Sequence, residues 1–73
     1  MNVPGIRAAL AAATQAGQYH QRNQLIANAV VRVGLRACDE WEKRPHTLDR
    51  MVWTARVAVI ADILRDAGVE VSE

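Results

Sequence analysis

The stretch MVWTARVAVIADILRDAG, residues 51–68, decides the fold. Its apolar residues recur at helical spacing, yet they form two stripes rather than one. Trp53, Val57, Ile60, Leu64 and Ala67 make a seam with the alternating three- and four-residue steps of a coiled-coil contact. Leu48, Val52, Ala55, Val59 and Ile63 make a second seam roughly a third of a turn away. Only Arg50, Thr54, Asp62, Arg65 and Asp66 mark solvent, on a narrow strip. A helix apolar this far round is enclosed by neighbours on two sides. The spacing predicts this helix over 48–67, with Thr47 as N-cap, Asp49 favouring the dipole in the first turn, and Gly68 at the left-handed C′ position so that Val69 folds back on Leu64.

The neighbours come from the rest of the chain. Tyr19, Ile26, Val30, Val33 and Ala37, with Ala27, Val31, Gly34, Cys38 and Trp41 beside them, predict an amphipathic helix over about 19–43. Its other side carries Asn28, Arg32, Arg36, Asp39 and Lys43. Gly34 and the flanking alanines allow a second helix to approach closely. Pro45 in KRPHT stops the helix, and so short a connection makes 19–43 and 48–67 an antiparallel hairpin. Before it, Pro4 and the alanine-rich GIRAALAAATQA predict a short helix at about 4–16 with a thin stripe of Ile6, Leu10 and Ala13. Gly17 either ends that helix or lies inside a continuous one. The tail VEVSE is expected to be extended and to fray at its end.

The second helix covers one seam of 48–67, and the small side chains of the first helix offer little bulk for the other. A second copy of the chain would cover it. The fold class expected is therefore a single all-α domain over 1–73, a helical hairpin preceded by a short helix and associated as a helical-bundle homodimer. Its interface would take Leu48, Val52, Ala55, Arg56, Val59 and Ile63. Arg56 lies between the seams with no acid three or four residues away. Either its stem packs while its head reaches water, or it pairs with an acid on another helix or subunit, Glu40 or Glu42 being candidates.

Composition points the same way. Seventy-three residues hide only about 60% of the unfolded surface, so a chain of this length is marginal alone. Small scaffolds add disulfides, a metal or a subunit. Cys38 is the only cysteine, which rules out an internal disulfide. The hydrophobic fraction of 51% is ample for a core, though it contains no Phe. Eight arginines stand against Lys43 alone, and with the many alanines they resemble the coding bias of a GC-rich genome. Residues 1–38 hold Arg7, Arg22, Arg32 and Arg36 and no acid, whereas 39–73 hold all eight acids and five bases. Such polarity serves an acidic partner or lets two halves of a dimer or hairpin attract each other, and the internal reading is the preferred one. The longest apolar run is cut by Arg56 and falls short of ~18 residues, so no membrane span is expected, and a cytoplasmic location is the default.

Catalysis is not expected. His20, Cys38 and His46 have neither metal-ligand nor nucleophile–base spacing, and there is no glycine-rich phosphate loop, so no cofactor or metal is implied. Cys38 falls on the apolar face of its helix and reads as core. Trp41 and Trp53 lie near the turn, with Arg44 and Arg50 close enough to stack on them. They form either a lid on the hairpin or, with Asp39, Glu40 and Glu42 as rim, a partner-binding patch. The function expected is a small adaptor or inhibitor that binds another protein. Its composition resembles that of small accessory proteins of GC-rich bacteria and their phages, an analogy of composition only. The rival is a DNA-binding regulator or nucleoid accessory using Arg22, Arg32 and Arg36. Against it, Asp39 interrupts the strip and the pI of about 8.0 is below the value above ~9 usual in DNA binders.

Overall fold

A computed structural model describes the backbone of residues 1–15, 21–45 and 48–72 and the side chains of 1–13, 28–45 and 48–72. The described residues form α1 (Val3–Gln15), α2 (Gln21–Lys43) and α3 (Leu48–Asp66), with no strand among them. The questions of Gly17, of the helix start at 19 with Tyr19, and of the Thr47 cap lie outside the described residues.

Asn2 opens α1 one residue before the expected start. Its side-chain oxygen accepts the Gly5 N–H at 3.0 Å, and its carbonyl accepts the Ile6 N–H at 3.1 Å. That is N-cap geometry, and it satisfies one of the amide groups that a helix start leaves without a partner. Pro4 costs nothing here, because an N–H in the first turn has no carbonyl to meet. The buried stripe of α1 is wider than expected: Val3 and Ala9 join Ile6, Leu10 and Ala13.

Each helix touches both others, and Gly34 is where they come closest. A Cβ at residue 34 would lie 2.8 Å from Ile60 Cγ2 and 2.9 Å from both Leu10 methyl groups. The missing side chain on α2 therefore admits α1 from one direction and α3 from another. Ala37, Cys38, Val57, Ile60, Ala61 and Leu64 complete the described core, with Val30, Val31, Leu35, Trp41 and Trp53 packed half-buried against it. Three residues correct the expected faces. Val33 is exposed, since it lines an open groove between α2 and α3 rather than the core. Ala67 is exposed because α3 has already ended, and Ala61, assigned to neither seam, takes a buried place between Val57 and Leu64.

The end of α3 follows its sequence. Gly68 adopts φ 85°, its N–H reaches the Arg65 carbonyl at 3.0 Å, and the Val69 N–H reaches the Leu64 carbonyl at 2.9 Å. These paired bonds are those of a Schellman cap. The tail does more than the expected fraying: Val69 and Val71 both pack half-buried against the core.

The acid-free half of the chain meets the acid-bearing half within the molecule. Arg7 on α1 reaches Asp39 at 2.8 Å and Glu42 at 3.1 Å, near the end of α2.

Candidate interaction surface

The two seams of α3 part company in the structure. Val57, Ile60 and Leu64 are buried and Trp53 half-buried, so the first seam is closed by the chain itself. The second is open to solvent: Leu48 is 80% exposed, Val52 52%, Val59 56% and Ile63 39%, with Ala55 exposed between them. Met51 is also exposed and widens the strip. It was legible at three residues from Leu48 and four from Ala55, but assigned to neither seam.

Beside this strip runs an open groove of about 670 Å³ between α2 and α3. Val33, Ala37, Ala55, Val59, Ile60 and Ile63 make it apolar, Arg36 and Arg56 flank it, and Trp53 contributes an indole. Val33 is the residue of this site that sequence reasoning misplaced, because spacing alone assigned it to the interior. The groove continues the open seam, so α2 and α3 together present one apolar face.

Arg56 is exposed, and its guanidinium stacks over the Trp53 ring at 4.4 Å from the centroid. Among the described residues it has no ion-pair partner. The acids anticipated for it are engaged elsewhere: Glu40 with Arg44 and with Lys43 at 3.5 Å, Glu42 with Arg7. The hydrogen bond from Arg44 holds the Glu40 carboxyl below its ordinary pKa. Arg7 is held above its own, chiefly by the hydrogen bond to Asp39 and against a smaller effect of burial.

Trp41, Arg44, Arg50 and Trp53 do come together, as a crosswise clasp. Arg50 on α3 stacks over Trp41 on α2 at 3.4 Å, and Arg44, just past α2, stacks over Trp53 on α3 at 4.8 Å. The Trp41 indole N–H donates to Thr54 Oγ1 at 2.9 Å, and the Thr54 hydroxyl donates in turn to the Arg50 carbonyl at 3.0 Å. Arg50 Nε donates to the Trp41 carbonyl at 3.1 Å, closing the ring of contacts. Both tryptophans remain half-buried. Each indole thus carries an arginine on its face while all four side chains stay partly open to solvent.

The residues of the nucleic-acid alternative divide. Arg32 and Arg36 are exposed one turn apart on α2, and among the described residues neither meets a carboxylate. The side chain of Arg22 lies outside the described residues. Arg7, a fourth cation in the same half of the chain, is committed to Asp39 and Glu42.

Cys38 is fully buried, and desolvation lifts its thiol above the ordinary 9.0 despite the nearby Arg7 charge. His20 and His46 lie outside the described residues, among which no group of three or more His, Cys, Asp or Glu is placed to hold a metal ion. Among the described residues no helix is long and apolar enough to cross a membrane. The chain matches no protein-family model, no curated protein and no solved structure.

Proposed function

We propose that this protein is a small non-catalytic interaction module, an adaptor or inhibitor, that acts as a homodimer. One observation carries the reading: Leu48, Val52, Val59 and Ile63, all large apolar side chains, lie exposed in line on one helix of a 73-residue chain. Scattered exposed apolar residues are ordinary, but a contiguous strip continuous with an apolar groove marks a contact surface. A second copy is the occupant that the chain always has at hand, and a two-fold pairing covers the same patch on both protomers at once. In this reading α2 and α3 are an antiparallel hairpin, supported by the contacts of Gly34 with Ile60 and of Trp41 with Thr54, and two hairpins make a helical bundle. The half-exposed clasp of Trp41, Arg44, Arg50 and Trp53 is where we place the contact with a second protein, because tryptophan and arginine dominate binding hot spots.

Sedimentation velocity tests the dimer. The expected particle has twice the 8.1 kDa chain mass. Val59→Glu, at a position already open to solvent, is expected to give a monomer with unchanged helical circular dichroism. A wild-type chain that stays a compact monomer at high concentration overturns the proposal.

A further inference from the structure

We propose, resting on the homodimer reading, that the two copies of α3 pack antiparallel, with Asp49 of each copy paired to Arg56 of the other. Asp49 and Arg56 are seven residues apart, two turns of helix, so they share one flank of the exposed seam. Both are exposed, they carry opposite charge, and among the described residues neither has an ion-pair partner. The other carboxylates near α2 are already engaged by Arg7, Lys43 and Arg44.

A two-fold axis perpendicular to α3 lays this flank against the same flank of the second copy, in reverse order. With the axis between Val52 and Ala55, Leu48 opposes the second copy's Val59, and Val52 opposes its Ala55. Asp49 then comes within side-chain reach of the second copy's Arg56, and symmetry makes the contact twice. The small Ala55 near the axis lets the helices approach closely. Arg36, on the opposite wall of the groove, adds positive charge on the side where Asp49 arrives.

Charge also rejects the alternatives. A register that opposes Leu48 to Ile63 sets the two Arg56 guanidiniums beside each other across the axis. A parallel two-fold pairing puts the Asp49–Arg56 flanks of the two copies on opposite sides of the interface, so the charge pair does not form there. Like charges facing one another suppress wrong pairings in helix–helix recognition, so the antiparallel register with the axis near Val52 is the one this flank selects.

The test reads dimer dissociation constants by sedimentation for the wild type, Arg56→Asp, Asp49→Arg and the double variant. Each single reversal is expected to weaken the homodimer about tenfold, by replacing two attractions with two repulsions. The double reversal is expected to restore it to within about twofold, since each pair is rebuilt with its signs exchanged. Mixed in equal amounts, the two single variants are expected to form heterodimers in preference to either homodimer. Asp49→Arg also removes an acid from the helix start, and Arg56→Asp carries no such cost. Single variants that dimerise as the wild type does, or a double variant weaker than both singles, overturn this pairing while leaving the homodimer standing. A monomeric wild type overturns both.

Discussion

A methyl group added at residue 34 would have to displace Ile60 Cγ2, which branches directly from its Cβ, as well as the freer ends of Leu10. Gly34→Ala therefore sets an overpacking cost against a gain of up to about 1 kcal/mol in helix propensity, and the two nearly offset. Gly34→Val keeps the clash, adds bulk and recovers less propensity, so it is expected to destabilise by about 1–3 kcal/mol in urea unfolding. Cys38 makes a different residue-scale prediction. Its thiol is kept neutral in the fold by burial, above the ordinary 9.0. Below that value both folded and unfolded thiols hold their proton, and the group's contribution is fully present. As pH rises through it, the unfolded chain loses the proton first, so it binds fewer protons than the fold and stability falls. The midpoint of thermal unfolding should accordingly drop faster above pH 9 in the wild type than in Cys38→Ala. Equal slopes in the two proteins would place the thiol in water, and with it the face of α2 that carries Cys38.

At the scale of elements, α1 is held by three devices of unequal visibility. The Asn2 cap was present in the sequence but hidden behind Pro4, which reads as the first helical residue. In the structure Val3 takes that place and the cap falls one position earlier. The apolar stripe of α1 was legible only in part, because Ala9 looks like any other alanine in an alanine-rich run until a neighbour covers it. The third device, Arg7 with Asp39 and Glu42, joins residues more than thirty positions apart, and only the difference in charge between the two halves hinted at it. These side chains are between 34% and 58% exposed, so solvent screens the contacts. Arg7→Ala is expected to cost about 0.5–1 kcal/mol at low salt. That difference from the wild type should shrink toward zero near 1 M salt, where the screening length is about 3 Å. A loss that persists at high salt would mean that the packed stem of Arg7, rather than its charge, holds α1 in place. The C-terminal end of α3 contrasts with this. Gly68 and Val69 were readable from six residues of sequence, since a helix cap is a local pattern.

At the scale of the whole molecule, the two-seam reading of α3 carried through because helical period fixes which residues share a face, whatever lies opposite them. It took Leu48, Val52, Ala55, Val59 and Ile63 as the outward seam, but nothing within α3 explains why the chain closes the other one. That depended on where Gly34 lets α1 and α3 meet, a three-body fact with no signature in any one segment. Val33 was misplaced for the same reason: amphipathic spacing gives the apolar side of α2, and only tertiary packing divides that side into core and groove. The division bears directly on the nucleic-acid alternative. Arg36 stands both on the exposed basic strip with Arg32 and on the wall of the apolar groove. A phosphate backbone would need that strip to act as an uninterrupted row of cations, yet Arg7 is neutralised by Asp39 and Glu42 and the net charge is only +1. The expected outcome is little affinity for random duplex DNA at moderate salt, and Arg32→Ala/Arg36→Ala should leave that baseline unchanged. A complex that survives moderate salt, weakens steeply as salt rises and disappears in the double variant would instead make α2 the working face. The groove would then be the flank of a nucleic-acid contact, and the open seam of α3 would serve to bring two such faces together on one duplex.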